Sequence, residues 1–217
     1  MRNPVPQAYR LPAILLAYST QLLGGVAYRL FWFHQGAAHG GDARLSAFAQ
    51  LPVPILAHII FGTVFVLVGA FQFSEPLRRR APKMHQRLGR GTAIAGIIAG
   101  FSTSVAVLVY PTTPDSNAAG DIVRFTAGLA WSTALILGVL FATRRQFLKH
   151  KVWMMRGYAI ATFGNTQTVL LIVLAIVSVD PTPALATATS VAGLVINLGF
   201  VEWLRLPRAI SQPPQLT

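Results

Sequence analysis

Six long apolar runs, at about residues 11–33, 52–73, 91–110, 122–143, 152–179 and 182–201, constrain this chain more than any other feature. A bilayer's hydrocarbon core is about 30 Å thick and takes about 20 helical residues to cross, a length each run reaches. Where water is absent, a helix satisfies its backbone N–H and C=O groups within one segment. A closed barrel is the other solution, but its strands alternate polar and apolar residues, whereas these runs are continuously apolar. The expected fold is all-α, a polytopic transmembrane bundle of six helices. It forms one domain over residues 1–210, followed by a disordered tail at 211–217.

Charge then orients the bundle. Arg78, Arg79, Arg80, Lys83, Arg87 and Arg90 lie between the second and third runs, and Arg144, Arg145, Lys149, Lys151 and Arg156 lie around the start of the fifth. Arg2 and Arg10 precede the first run; Arg205 and Arg208 follow the last. Only Arg29, Arg44 and Arg124 remain for the opposite face. Loop Lys and Arg stay cytoplasmic, so both termini are expected inside, as an even number of spans also requires.

A net charge of +12 raises nucleic acid as a partner. The basic residues, however, are divided among short loops at the membrane surface, where anionic lipid head groups are nearer, so nucleic acid is set aside. With no cysteine, the chain offers neither disulfides nor thiolate ligands. The first run is too long for a signal-peptide core and continues into Phe31, Trp32 and Phe33, an interfacial anchor, so it reads as an uncleaved span. Asp121 is placed to cap the fourth helix.

Five histidines carry most of the available chemistry. His34 and His39 fall at or beyond the outer end of the first run, and His58 lies inside the second. His85 and His150 mark the inner ends of the third and fifth. At about 100° per residue, positions +4, +7, +11 and +14 share a face with the starting residue. From His58 these are Gly62, Phe65, Gly69 and Gln72; from His85, Gly89, Thr92, Gly96 and Ala99; from His150, Met154, Gly157, Ala161 and Gly164. Each histidine therefore stands at the end of a largely small-residue stripe. A flat porphyrin approaches a helix only over small side chains, and two facing histidines supply axial nitrogens to its iron. An inner His85/His150 pair and an outer His58/His34 pair would place two haems near opposite faces. Ordinary helix packing uses the same glycine stripes, and helix-end histidines are also comfortable at the interface, so both readings stand. His58 is deep enough to need a function or a specific hydrogen bond.

Other embedded polar groups are few. Arg156, near Trp153 and Tyr158, either snorkels to the inner surface or meets a haem propionate or quinone. Asn165, Thr166 and Gln167 make a polar step at mid-depth, with Asn197 in the last run. Such groups usually bond across helices. Glu75, Asp121 and Glu202 are all terminal to their runs, which weakens a case for an ion-coupled transporter.

The combination His58-x3-Gly62, Gly69-Ala70-Phe71-Gln72-Phe73, Leu77-Arg78, His85-x3-Gly89-Arg90 and His150-x2-Trp153-Met154-x-Arg156-x-Tyr158 resembles a family of bacterial membrane proteins known as domain of unknown function 2306. The likeness covers about residues 52–165. It implies a multi-span inner-membrane protein and singles out His58, Gln72, Arg78, His85, Arg90, His150 and Arg156, without supplying an activity. The preferred expectation is a protein of the bacterial cytoplasmic membrane that binds b-type haem at His85 and His150 and exchanges electrons with a quinone or partner protein. His58 would then be a ligand of a second haem or a quinone's hydrogen-bond partner. The alternative is a non-enzymatic accessory subunit whose histidines and arginines contact lipid or other membrane subunits; a small-molecule transporter is a third reading.

Overall fold

The computed structural model describes residues 10–21, 24, 27, 47, 48, 50–110, 117–180 and 182–204. His34 and His39, the arginines at 2, 29, 44, 205 and 208, and the expected tail at 211–217 lie outside them. Residues 10–21 are helical. Beyond that stretch the chain forms α1 (Val53–Gln72), α2 (Glu75–Arg80), α3 (Pro82–Val109), α4 (Ala118–Thr143), α5 (Phe147–Ala161), α6 (Phe163–Ile176) and α7 (Pro183–Trp203). No strand occurs among the described residues. Among the described residues, five helical segments are long and apolar enough to cross a bilayer, α5 and α6 together making one 30-residue segment. Of the first apolar run, only residues 10–21, 24 and 27 are described, all helical.

The helices extend past the apolar runs where nothing stops them. α3 begins at Pro82, nine residues before the run it contains, because Lys83 to Arg90 hold no proline, a single interior glycine (Gly89) is tolerated, and proline is well placed in a first turn. At 28 residues this helix is about 42 Å long, so its basic first turns stand clear of a hydrocarbon core of about 30 Å. α4 starts at Ala118, capped by Asn117, whose Oδ1 accepts from the Gly120 N–H at 2.7 Å. The expectation that Asp121 caps this helix is thereby corrected. Asp121 sits inside the first turn, where its charge favours the helix dipole and pairs with Arg124.

α3 packs against α1 on one side and α4 on the other; α5 packs on α4, and α6 on α7. Phe65, Val66, Ala95, Ala99, Trp131, Ala134, Leu135, Tyr158 and Ile160 belong to the shared core. Close approach of α3 to α4 depends on two glycines. A Cβ on Gly100 would lie 2.8 Å from the Gly128 carbonyl, and one on Gly128 would lie 2.6 Å from the Gly100 carbonyl. Away from the core, large apolar side chains face outward, including Leu108 (72% exposed), Ile122 (63%) and Ile176 (76%), as a lipid-facing surface requires.

Candidate functional site

The basic end of the bundle gathers the C-terminus of α1, all of α2, and the first turns of α3 and α5. The α4–α5 hairpin closes tightly. Arg145 takes the left-handed conformation (φ 58°), and the Gln146 N–H reaches back to the Phe141 carbonyl at 2.8 Å. This turn lays the start of α5 along the end of α4, opposite Gly138. The His150 Nδ1 lies 2.8 Å from the Gly138 carbonyl oxygen. A carbonyl can only accept, so Nδ1 carries the proton, and in the neutral ring Nε2 keeps the lone pair.

His85, one turn into α3, lies within electrostatic reach of both His150 and Arg78. Its Nδ1 is buried and has no hydrogen-bond partner. Gln72, the last residue of α1, has both amide atoms buried and partnerless. Its Oε1 rests where a Cβ on Gly89 would come within 3.2 Å, so the Gln72 amide sits over α3 one turn beyond His85. Three orphaned polar atoms from two neighbouring side chains thus occur at one end of the bundle. Each buried, unsatisfied group costs about 1–3 kcal/mol, and native structures hold few of them.

The other residues singled out from the sequence have different surroundings. In the opposite half, His58 Nδ1 lies 2.7 Å from Thr103 Oγ1 and 3.3 Å from the Ala99 carbonyl. The Thr103 hydroxyl already donates to Ala99, so it accepts from His58, whose Nδ1 is again the protonated nitrogen. The His58 ring meets Trp131 edge-on, with centroids 6.4 Å apart. Arg156 pairs with Glu202 of α7 at 2.8 Å and stacks over Trp153. Arg78 and Arg90 are exposed.

At mid-depth the polar step binds helices together. Asn197 Nδ2 donates to the Ala159 carbonyl at 3.1 Å, and its Oδ1 accepts from Thr166 at 2.7 Å. Tyr18 bonds to Thr166, and the Gln21 amide donates to the Asn165 carbonyl at 3.1 Å. Sequence reasoning missed Tyr18, Gln21 and Glu202, whose partners are between 46 and 148 residues away.

The small-residue stripes are filled by protein. Gly62 faces Ala99 and Trp131, Gly69 faces Tyr158 and Thr92, Gly96 faces Phe65 and Leu135, and Gly157 faces Leu135 and Ala134. A porphyrin does not fit between the helices at mid-depth. At the basic end the donor chemistry does suit a haem: two imidazoles, His85 and His150, stand at the same end of the bundle and sense each other's charge, and one has its Nδ1–H fixed by a carbonyl, as metal-bound histidines commonly do. Among the described residues no group of three or more His, Asp or Glu side chains could hold a bare metal ion.

The model of the DUF2306 family of predicted membrane proteins matches residues 55–205. The chain belongs to the DUF2306 family. The match takes in α2 to α7 and nearly all of α1, and with them His58, Gln72, Arg78, His85, Arg90, His150, Arg156 and Glu202. His34 and His39 precede it. No curated protein and no solved structure matches the chain. Family membership and the apolar helices together make this an integral membrane protein.

Proposed function

We propose that this DUF2306 protein is a redox protein of the bacterial cytoplasmic membrane that holds one b-type haem at its basic end. The supporting observation is that His150, its Nδ1–H committed to the Gly138 carbonyl, stands at the same basic end as His85 and within its electrostatic influence. In this reading His85 and His150 would hold the group through ring nitrogens, and Arg78 would balance the negative charge of its carboxylates. The bound group would supply one-electron chemistry, exchanged with a membrane quinone or a partner protein. The Gly138 carbonyl holds the His150 ring in one orientation, and the filled stripes above keep water from the middle of the bundle. Positive charge in the flanking loops supports a cytoplasmic position for this end, and for both chain termini of a six-span bundle. His58, bonded to Thr103, takes no part in this site.

The test is a dithionite-reduced minus air-oxidised spectrum of detergent-purified protein expressed with ample haem. The expected result is a sharp b-type α-band that disappears in both His85→Ala and His150→Ala. A flat spectrum from folded wild-type protein overturns the reading and leaves that of an accessory subunit of a larger membrane complex.

A further inference from the structure

The orphaned amide of Gln72 is not explained by haem ligation. Both Nε2 and Oε1 are buried without a partner, as is Nδ1 of His85. Gln72 closes a 20-residue apolar helix, so its amide lies near the boundary between hydrocarbon and water. A glutamine there has an easy alternative, since its flexible side chain can turn outward and hydrate. Instead its amide is held over Gly89, with Oε1 only 3.2 Å from where a Cβ on that residue would lie. We infer that the corner formed by Gln72 and His85 binds the head group of a membrane quinone.

The chemistry of the orphaned atoms selects this ligand class. Gln72 Nε2 donates and Oε1 accepts, while a neutral imidazole nitrogen does one or the other according to tautomer. A matching ligand presents oxygens that are acceptors in one state and donors in another, and a quinone and its quinol do this as carbonyl and hydroxyl. The orphaned groups are neutral, which distinguishes the corner from a phosphate site. An anionic head group would instead seek Arg78, Arg79 and Arg80, which are exposed on α2. The position at the end of an apolar span also suits a head group whose tail stays in the bilayer. The inference rests on the redox reading for the purpose of the bound head group, though not for the binding itself.

Binding of decylubiquinone to the purified full chain, measured by isothermal titration with the haem spectrum recorded on the same sample, tests this. Gln72→Leu removes both amide atoms at similar volume, and Gln72→Met is the second variant should the first misfold. The expected result is saturable binding to wild type that weakens about tenfold or more in either variant, as the loss of two hydrogen bonds implies. The α-band should persist, and thermal stability should be unchanged or raised, because an apolar isostere relieves the orphaned groups. Equal binding by wild type and variants, or no binding to wild type, overturns the inference whatever the spectrum shows. Competition by phosphatidylglycerol micelles at matched concentration overturns it in favour of a phospholipid head group. Gln72-dependent binding without an α-band upholds the quinone site and removes the haem.

Discussion

The Nδ1–H of His150 donates to the Gly138 carbonyl across the α4–α5 hairpin, at 2.8 Å. That carbonyl belongs to a residue whose missing Cβ lets α5 approach, since a methyl there would come 2.7 Å from Met154 Sδ. One glycine therefore supplies both the clearance and the acceptor, and together they determine which imidazole nitrogen keeps its lone pair. Nitrogen-15 NMR of labelled histidine should show the neutral His150 ring protonated at Nδ1. Observing Nε2–H as the dominant tautomer would refute the assignment and weaken the case for His150 as an Nε2 ligand.

Gly100 and Gly128 face each other's backbone, so a methyl on either would collide with a carbonyl oxygen that no rotamer change can move. Gly100→Ala and Gly128→Ala should each destabilise the bundle by about 1–3 kcal/mol, as overpacking does. Gly91→Ala is the control, because its Cβ would meet nothing within 4 Å. Thermal unfolding in detergent should lower the midpoint for the first two and leave the third unchanged or slightly raised. Equal effects at all three would mean that helix propensity, and not the crossing, governs them.

What the sequence makes legible here is whatever depends on length and hydropathy. Five of the six apolar runs recur as spanning segments, because a run of about 20 apolar residues has few alternatives to a membrane helix. Helix ends were less legible, since Lys83 to Arg90 are polar yet entirely compatible with a helix that starts at Pro82. The stripes beside His58, His85 and His150 are real, but periodicity cannot say what fills them. In the folded chain Trp131, Leu135, Phe65 and Tyr158 do so, each arriving from another helix. The orphaned amide of Gln72 is likewise invisible beforehand, because satisfaction of a polar group is a property of its three-dimensional neighbours. The Arg156–Glu202 pair joins residues 46 positions apart and leaves no local pattern.

The start of α4 separates a cap from a charge effect. Asn117 accepts from the Gly120 N–H at 2.7 Å and from the Thr187 hydroxyl of α7 at 2.9 Å. Asn117→Ala should cost about 1 kcal/mol, through the lost cap, while the Thr187 hydroxyl keeps the Pro183 carbonyl at 2.9 Å as its acceptor. Asp121→Asn removes a favourable first-turn charge and the charge of its pair with Arg124, and should cost about 0.3–1 kcal/mol at low salt. Chemical or thermal unfolding should rank Asn117→Ala as the more damaging, with a difference that persists in high salt. The reverse order would restore Asp121 as the principal stabiliser of this end.

The crossing made by α5 and α6 is not one regular helix. It passes from α5 to α6 at Thr162, with φ −100° and ψ 6°. Asn197 of α7 grips the joint from outside, donating to the Ala159 carbonyl at 3.1 Å and to Thr162 Oγ1 at 3.3 Å, while accepting from Thr166 at 2.7 Å. Interhelical hydrogen bonds in membranes are worth about 0.6 kcal/mol on average, so losing three predicts roughly 2 kcal/mol for Asn197→Ala. Asn197→Leu restores the volume without the bonds and should lose nearly as much. If instead Asn197→Leu matches wild type in thermal unfolding, packing alone holds α7 to the joint. Amide hydrogen exchange gives an independent check, because freeing the joint should speed exchange at Phe163 to Thr166 before it affects α3 or α4.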